Sequence, residues 1–152
     1  MGRRAAIIAL IIAAIGGAWY YFTIYLPPRE GTDREQILRM IADVERSVEQ
    51  GRASGVMDYI SEDYEDSRGF NRRMVQRMVI AGARDRRTMN LSVQVPEIEV
   101  SGDTAQFVAD VEMTVSGGET TQLTVTAQLR RENGRWMVVS ADGWQGAESA
   151  YF

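Results

Sequence analysis

The sequence contains no cysteine and no histidine, and its 17 basic residues include no lysine, so every one is arginine. Without cysteine there is no disulfide, thiolate nucleophile, iron–sulfur cluster, zinc–thiolate site or acylated lipoprotein cysteine. Without histidine the commonest general base and the commonest metal ligand are missing. Without lysine there is no Schiff base and no phosphate-loop lysine. No cofactor and no metal site is expected from what remains. The arginine-only usage reads as the mark of a GC-rich bacterial genome, not of a function. Missing cysteine does not fix a compartment, because a domain of this size folds without disulfides.

What is present is ordinary for a globular chain: 152 residues, 45% hydrophobic and 25% charged. That length holds one modest domain and an appendage. Beyond residue 26 the chain is long enough to bury about two-thirds of its unfolded surface.

The appendage is the firmest expectation. Residues 5–26 (AAIIALIIAAIGGAWYYFTIYL), starting at Ala5 and ending at Leu26, carry no charge. As a helix they span about 33 Å, enough to cross a hydrocarbon core of about 30 Å. Arg3 and Arg4 precede the run, whereas Arg29, Glu30, Asp33 and Arg34 after it nearly cancel. The positive-inside rule then places the N-terminus in the cytoplasm and the domain outside the cytoplasmic membrane, in a periplasmic or extracellular position. Trp19, Tyr20, Tyr21 and Tyr25 form an aromatic belt near the distal end, and Pro27-Pro28 stops the helix. A cleaved signal peptide, with Gly16-Gly17-Ala18 as the small-residue site, is the competing reading. Against it, the apolar run continues for eight residues past Ala18. The expected organisation is a cytoplasmic N-terminus (1–4), a single transmembrane helix (5–26), a linker (27–31), a domain (32–145) and a tail (146–152).

Within the domain, Thr32-Asp33-Arg34-Glu35 fits a capping box. Ile37, Met40, Ile41, Val44 and Val48 follow at helical spacing until Gly51. A shorter helix is predicted over 54–60, an acidic loop or short strand over 61–67, and a third helix capped by Asn71. Met74, Val75, Met78 and Val79 form that helix's apolar face. From Met89 the period changes from 3.6 to 2. Met89, Leu91, Val93 and Val95 alternate until Pro96, which implies an edge position or a bulge. Ala105 to Val115 form a second alternating set, Gly117-Gly118 a hairpin turn, and Leu123, Val125, Ala127 and Leu129 a third set. Asn133-Gly134 is the strongest hairpin signal and leads into Trp136, Val138, Ser140 and Asp142. Helices first and strands after them predict an α+β fold with three helices on one face of an antiparallel meander of four or more strands.

The helix beginning at Asp33, the break Gly51-Arg52-Ala53-Ser54-Gly55, the run Tyr59-Ile60-Ser61-Glu62-Asp63-Tyr64 and the final hairpin Leu129-Arg130-Arg131-Glu132-Asn133-Gly134-Arg135-Trp136 resemble the NTF2-like (SnoaL-like, cystatin-like α+β) superfamily. The resemblance spans about residues 32–144. It implies a long helix wrapped by a strongly bent sheet, a cone with a pocket at its open end. Enzymatic members place an acid–base pair inside the cone, usually Asp with His or Tyr. Fold alone does not assign function, because the superfamily includes isomerases, cyclases, dehydratases, transport adaptors and inert domains.

The inward strand positions here are apolar: Leu91, Val93, Phe107, Ala109, Val111, Leu123, Val125, Ala127, Leu129, Trp136 and Val138. Phe107, Val125, Trp136 and Trp144 are the candidate pocket residues, though such aromatics more often fill a core. Asp142 shares the parity of Trp136 if β-pairing has no bulge, and could then meet Tyr59 or Tyr64 as a catalytic pair. The bland alternative is a solvated Asp142 at a fraying strand end. Glu62, Asp63, Glu65 and Asp66 lack the spacing and glycine of a calcium loop and read as a solvated acidic segment. Arg68, Arg72, Arg73, Arg77, Arg84, Arg86 and Arg87 form the densest basic region. Excluding Arg3 and Arg4, however, the chain has 15 basic and 21 acidic residues, a net of −6. That balance opposes nucleic-acid binding, and pairing of these arginines with the acidic loop is the expectation.

The expected function is therefore that of a non-catalytic, membrane-tethered domain of the cell envelope. It would bind a protein partner, a second copy of itself or a small apolar ligand. The alternative is an isomerase- or cyclase-type enzyme using Asp142 with Tyr59 or Tyr64.

Overall fold

The structure, a computed structural model, describes residues 31–84, 89–116 and 119–144. The expected transmembrane segment and tail, the linker as far as residue 30, the Gly117-Gly118 turn, and Arg86 and Arg87 lie outside the described residues. Among the described residues no helix is long and apolar enough to cross a membrane.

Helix α1 (Asp33–Glu49) starts directly after Thr32. Its stripe Ile37, Met40 and Ile41 is buried, and Asp33 pairs with Arg131 of the last hairpin. Gly51 ends the helix at φ +63, a left-handed turn that glycine adopts without steric cost. Helix α2 (Ala53–Met57) is shorter than the 54–60 expected. Its last residues leave the helix because Ile60 bridges to Val138, so the backbone is drawn to the sheet instead. Gly55 lies where α2 meets α1, and a Cβ there would stand 2.9 Å from the Ser47 Cβ. Asn71 caps α3 (Arg72–Arg84) through its side-chain carbonyl, which accepts the Met74 N–H at 3.2 Å.

The strands β1 (Met89–Ser101), β2 (Thr104–Val115), β3 (Glu119–Glu132) and β4 (Arg135–Asp142) form one antiparallel meander in the order β1-β2-β3-β4. The Asn133-Gly134 loop has φ +50 and +80, the pair of positive angles that a tight two-residue hairpin requires. Strand β1 does not stop at Pro96. It runs on to Ser101 past a bulge between Gln94 and Glu97, and as an edge strand it tolerates the missing proline N–H.

A second bulge decides the cavity chemistry. Gln128 pairs with Ser140 but Leu129 pairs with Val138, so Val139 is an extra residue in β4. Beyond it the alternation reverses. Ala141, opposite Ala127, joins the inner face, and Asp142, opposite Thr126, lies on the other face from Trp136. The parity expected for Asp142 and Ser140 from an unbroken strand is thereby corrected. The loop 59–65 lines this edge: Tyr59 O accepts from Val138 N at 2.8 Å, Ser61 N donates to Val138 O at 2.9 Å, and Glu65 N donates to Val139 O at 3.0 Å. The edge of β4 is thus covered where it bulges.

The core sits at one end of the sheet face that the helices cover. Ile37, Met40, Phe107, Ala127, Leu129 and Trp136 pack there with Tyr64 and Val138. Helix α3 contributes no buried residue. Its contacts run chiefly to α2, so it lies over the other end of the face without closing onto it.

Candidate functional site

Where α3 stands off, a cavity of about 430 Å³ opens between the helices and the sheet. One wall is the C-terminal half of α1 and the turn after it, with Val44, Ser47, Val48 and Arg52. Another is α3, with Val75, Met78, Val79 and Gly82. Leu91, Met113, Val125 and Ala141 form the sheet floor, and Tyr64 and Trp144 close one end. The same α1 stripe therefore does two jobs: its first two turns fill the core, and its last two roof an open space. Helix α3 is held at its two ends. The Arg72 guanidinium donates to Ile60 O at 3.2 Å and Met57 O at 3.4 Å. At the other end, Gly51 comes so close that a Cβ would lie 3.4 Å from Ala83 O. A volume of this size matches small-molecule pockets, which are mostly apolar with a few polar groups.

The polar groups on this wall are few. Tyr64 donates its hydroxyl to Ala141 O at 3.3 Å, and the Trp144 indole N–H donates to the same carbonyl at 2.8 Å. Burial, reinforced by the negative charge of Asp66 and Asp142, pushes the Tyr64 phenol up to about 12. At neutral pH it is a neutral donor, not a base. Ser47 is buried, and its Oγ accepts from the Arg52 guanidinium at 3.4 Å. Arg52 is the one charged residue among the described lining residues.

Of the pocket residues expected from sequence, Val125 and Trp144 lie on the cavity wall. Phe107 and Trp136 do not; they belong to the closed core, 8% and 3% exposed. The Arg131 guanidinium stacks 4.5 Å from the centre of the Trp136 ring. Trp144 meets Phe70 edge to face at 5.5 Å.

The acid–base pairing that the enzyme alternative needs is not assembled. Asp142 is not among the described lining residues, and its Oδ1 accepts from the Ser67 N–H at 3.2 Å and from the Ser67 hydroxyl. Tyr59 points elsewhere, donating to Asp43 at 2.9 Å. Its phenol is raised by burial and by that carboxylate.

The acidic segment is tied into the fold more than a solvated loop would be. Asp63 accepts from Arg130 at 2.9 Å. Asp66 is buried and accepts from the Arg68 and Phe70 N–H groups at 3.0 and 2.9 Å. Among the described residues no group of three acidic side chains converges as a metal site would. The pairing expected between the arginines of α3 and this segment is found for Arg72 with Glu62 at 3.4 Å; Asp63 instead reaches the β-hairpin.

Sequence reasoning assigned Val44, Val48, Val75, Met78 and Val79 to core faces and passed over Ser47 and Arg52. A signal was available: Ser47 interrupts the apolar stripe of α1 one turn after Val44.

No protein-family model matches the chain, and no curated protein does. Solved structures do. A cystatin-like protein of unknown function from Nostoc punctiforme superposes with a TM-score of 0.60 at 15% identity, covering 72% of this chain and 87% of that one. An NTF2-like protein of unknown function from Shewanella oneidensis gives 0.60 at 13% identity, with 72% and 97% covered. One from Pseudomonas putida gives 0.61 at 15% identity, with 70% and 82% covered. The described domain has the NTF2-like, cystatin-like α+β fold, and identities this low speak for the fold alone.

Proposed function

We propose that this chain is a non-catalytic NTF2-like domain, tethered outside the cytoplasmic membrane by residues 5–26, that holds a small apolar molecule in its cavity. The observation that carries the reading is the cavity of about 430 Å³ with walls of Val, Met, Leu and Ala. Buried apolar surface contributes about 25 cal/mol per Å², so such walls favour an apolar occupant over water. The isomerase or cyclase alternative needs a carboxylate on the wall, and Asp142 lies on the opposite face of β4. The tether rests on the uncharged run 5–26, whose end lies a few residues before α1.

The test is a variant that fills the cavity without touching the core. Gly82 lines the space on α3, and a Cβ there meets nothing within 4 Å. Gly82→Trp should occupy the volume, and replacing a helical glycine by Trp gains about 0.5 kcal/mol of helix propensity. Full-length protein purified from membranes is expected to carry a small apolar molecule, seen by mass spectrometry of its organic extract, that Gly82→Trp lacks. Identical extracts from a stably folded variant would sink the reading. Annular lipid is common to both preparations and cancels. The intact mass of the same preparations reads a protein partner or a homodimer.

A further inference from the structure

We infer that the ligand is a long-chain anionic amphiphile, its chain among the apolar walls and its carboxylate or phosphate head at Arg52. This rests on the cavity reading above and adds the charge and shape of the occupant.

The wall has a single charged group among its described residues, and that group is a cation. Arg52 sits at the turn between α1 and α2 and is exposed, so it stands at the mouth and not in the interior. Its described partner is a serine hydroxyl at 3.4 Å, a long contact that leaves most of the guanidinium's donors for a ligand. No carboxylate among the described residues lies within ion-pair range of it, in a domain where acids outnumber bases. A guanidinium presents a planar fork that fits carboxylate and phosphate oxygens two at a time. Gly55 keeps this corner open, since a side chain there would collide with the Ser47 hydroxyl and come within 3.7 Å of the guanidinium.

The outer surface of the covering helix agrees in sign. Arg73, Arg77 and Arg84 are exposed on α3, so the lid that borders the mouth is positive while the domain as a whole is acidic. A positive mouth on an acidic body draws anions to one place. An apolar cavity with one cation at its rim matches a molecule with an apolar body and one anionic end. A neutral hydrocarbon leaves Arg52 unused, and a polyanion has nothing to offer the walls.

Full-length protein in phosphatidylcholine vesicles would be labelled with a photoactivatable palmitate, with the corresponding photoactivatable alcohol, and with a photoactivatable lysophosphatidic acid. Labelled peptides are then mapped. Palmitate is expected to label the α1–α2 and α3 wall peptides about tenfold more than the alcohol, the discrimination that one charge-assisted hydrogen bond supplies. Arg52→Gln should abolish that ratio and Arg52→Lys should keep much of it. Stronger labelling by the lysophosphatidic acid would name phosphate as the head; weaker labelling would name carboxylate. Equal labelling by palmitate and alcohol, unchanged in Arg52→Gln, overturns the inference and leaves the apolar cavity standing. Labelling absent from the wall peptides with every probe overturns both.

Discussion

Leu129→Ala is expected to lower the unfolding free energy by about 2–5 kcal/mol, while Val79→Ala costs less than about 1 kcal/mol. The two residues are both aliphatic, and both lie between the helices and the sheet. They differ in what surrounds them. Leu129 is 1% exposed and packs within the closed core beneath α1. Truncating it leaves a void that close-packed neighbours fill only in part. Val79 lies on α3 and already borders open space, so its truncation enlarges a cavity that exists and forfeits few contacts. Urea unfolding of the full-length variants measures the gap. Equal costs would mean that α3 packs as core, and the ligand cavity would then be no more than a gap in packing.

Gly143→Ala is expected to cost about 3 kcal/mol. Gly143 has φ +95, and a Cβ on it would lie 2.0 Å from the Thr124 carbonyl oxygen and 3.1 Å from its carbonyl carbon. A left-handed backbone costs an L-residue about 1–2 kcal/mol. The collision is with backbone and not with a flexible tip, so the strand end must shift, at about 1–3 kcal/mol more. The shift carries Trp144 with it, because that indole is held by Ala141 O and packed on Phe70. Thermal unfolding should fall by roughly 10 °C, with a change in tryptophan emission as Trp144 leaves the wall. A melting point within a degree or two of the parent would contradict the close approach of Gly143 to β3.

The elements set by local signals were legible in the sequence. The α1 stripe, the Asn71 cap, the Asn133-Gly134 hairpin and the apolar alternation of β2 and β3 each appear where periodicity and turn chemistry place them. The cavity was not legible, for two physical reasons. An apolar helix face looks the same whether it meets packed side chains or empty space, so Met78 and Val79 read as core. Parity arguments also carry along a strand only until a bulge, and nothing around Val139 announces one. Phe107 and Trp136 are pocket candidates by the resemblance and core residues by the usual habit of aromatics, and they lie in the core, at the end where α1 presses on the sheet. Trp144 and Val125 lie at the other end, where it does not.

The bulge at Val139 also sets the chemistry available to this fold. One inserted residue gives Ala141 the inner face and turns Asp142 toward Ser67. Deleting Val139 should remove the bulge and keep both faces, with Ala141 still opposite Ala127 and Asp142 still opposite Thr126. No titrating acid is then expected in the cavity by carbon-detected NMR of labelled aspartate, and one appearing there would show that β4 had slipped by one residue on β3. What would bring Asp142 onto the wall is a one-residue slip of β4 against β3, which reverses every side chain beyond it. Val139 thus acts as a register lock: by taking up the extra residue, it keeps the carboxylate off the cavity wall.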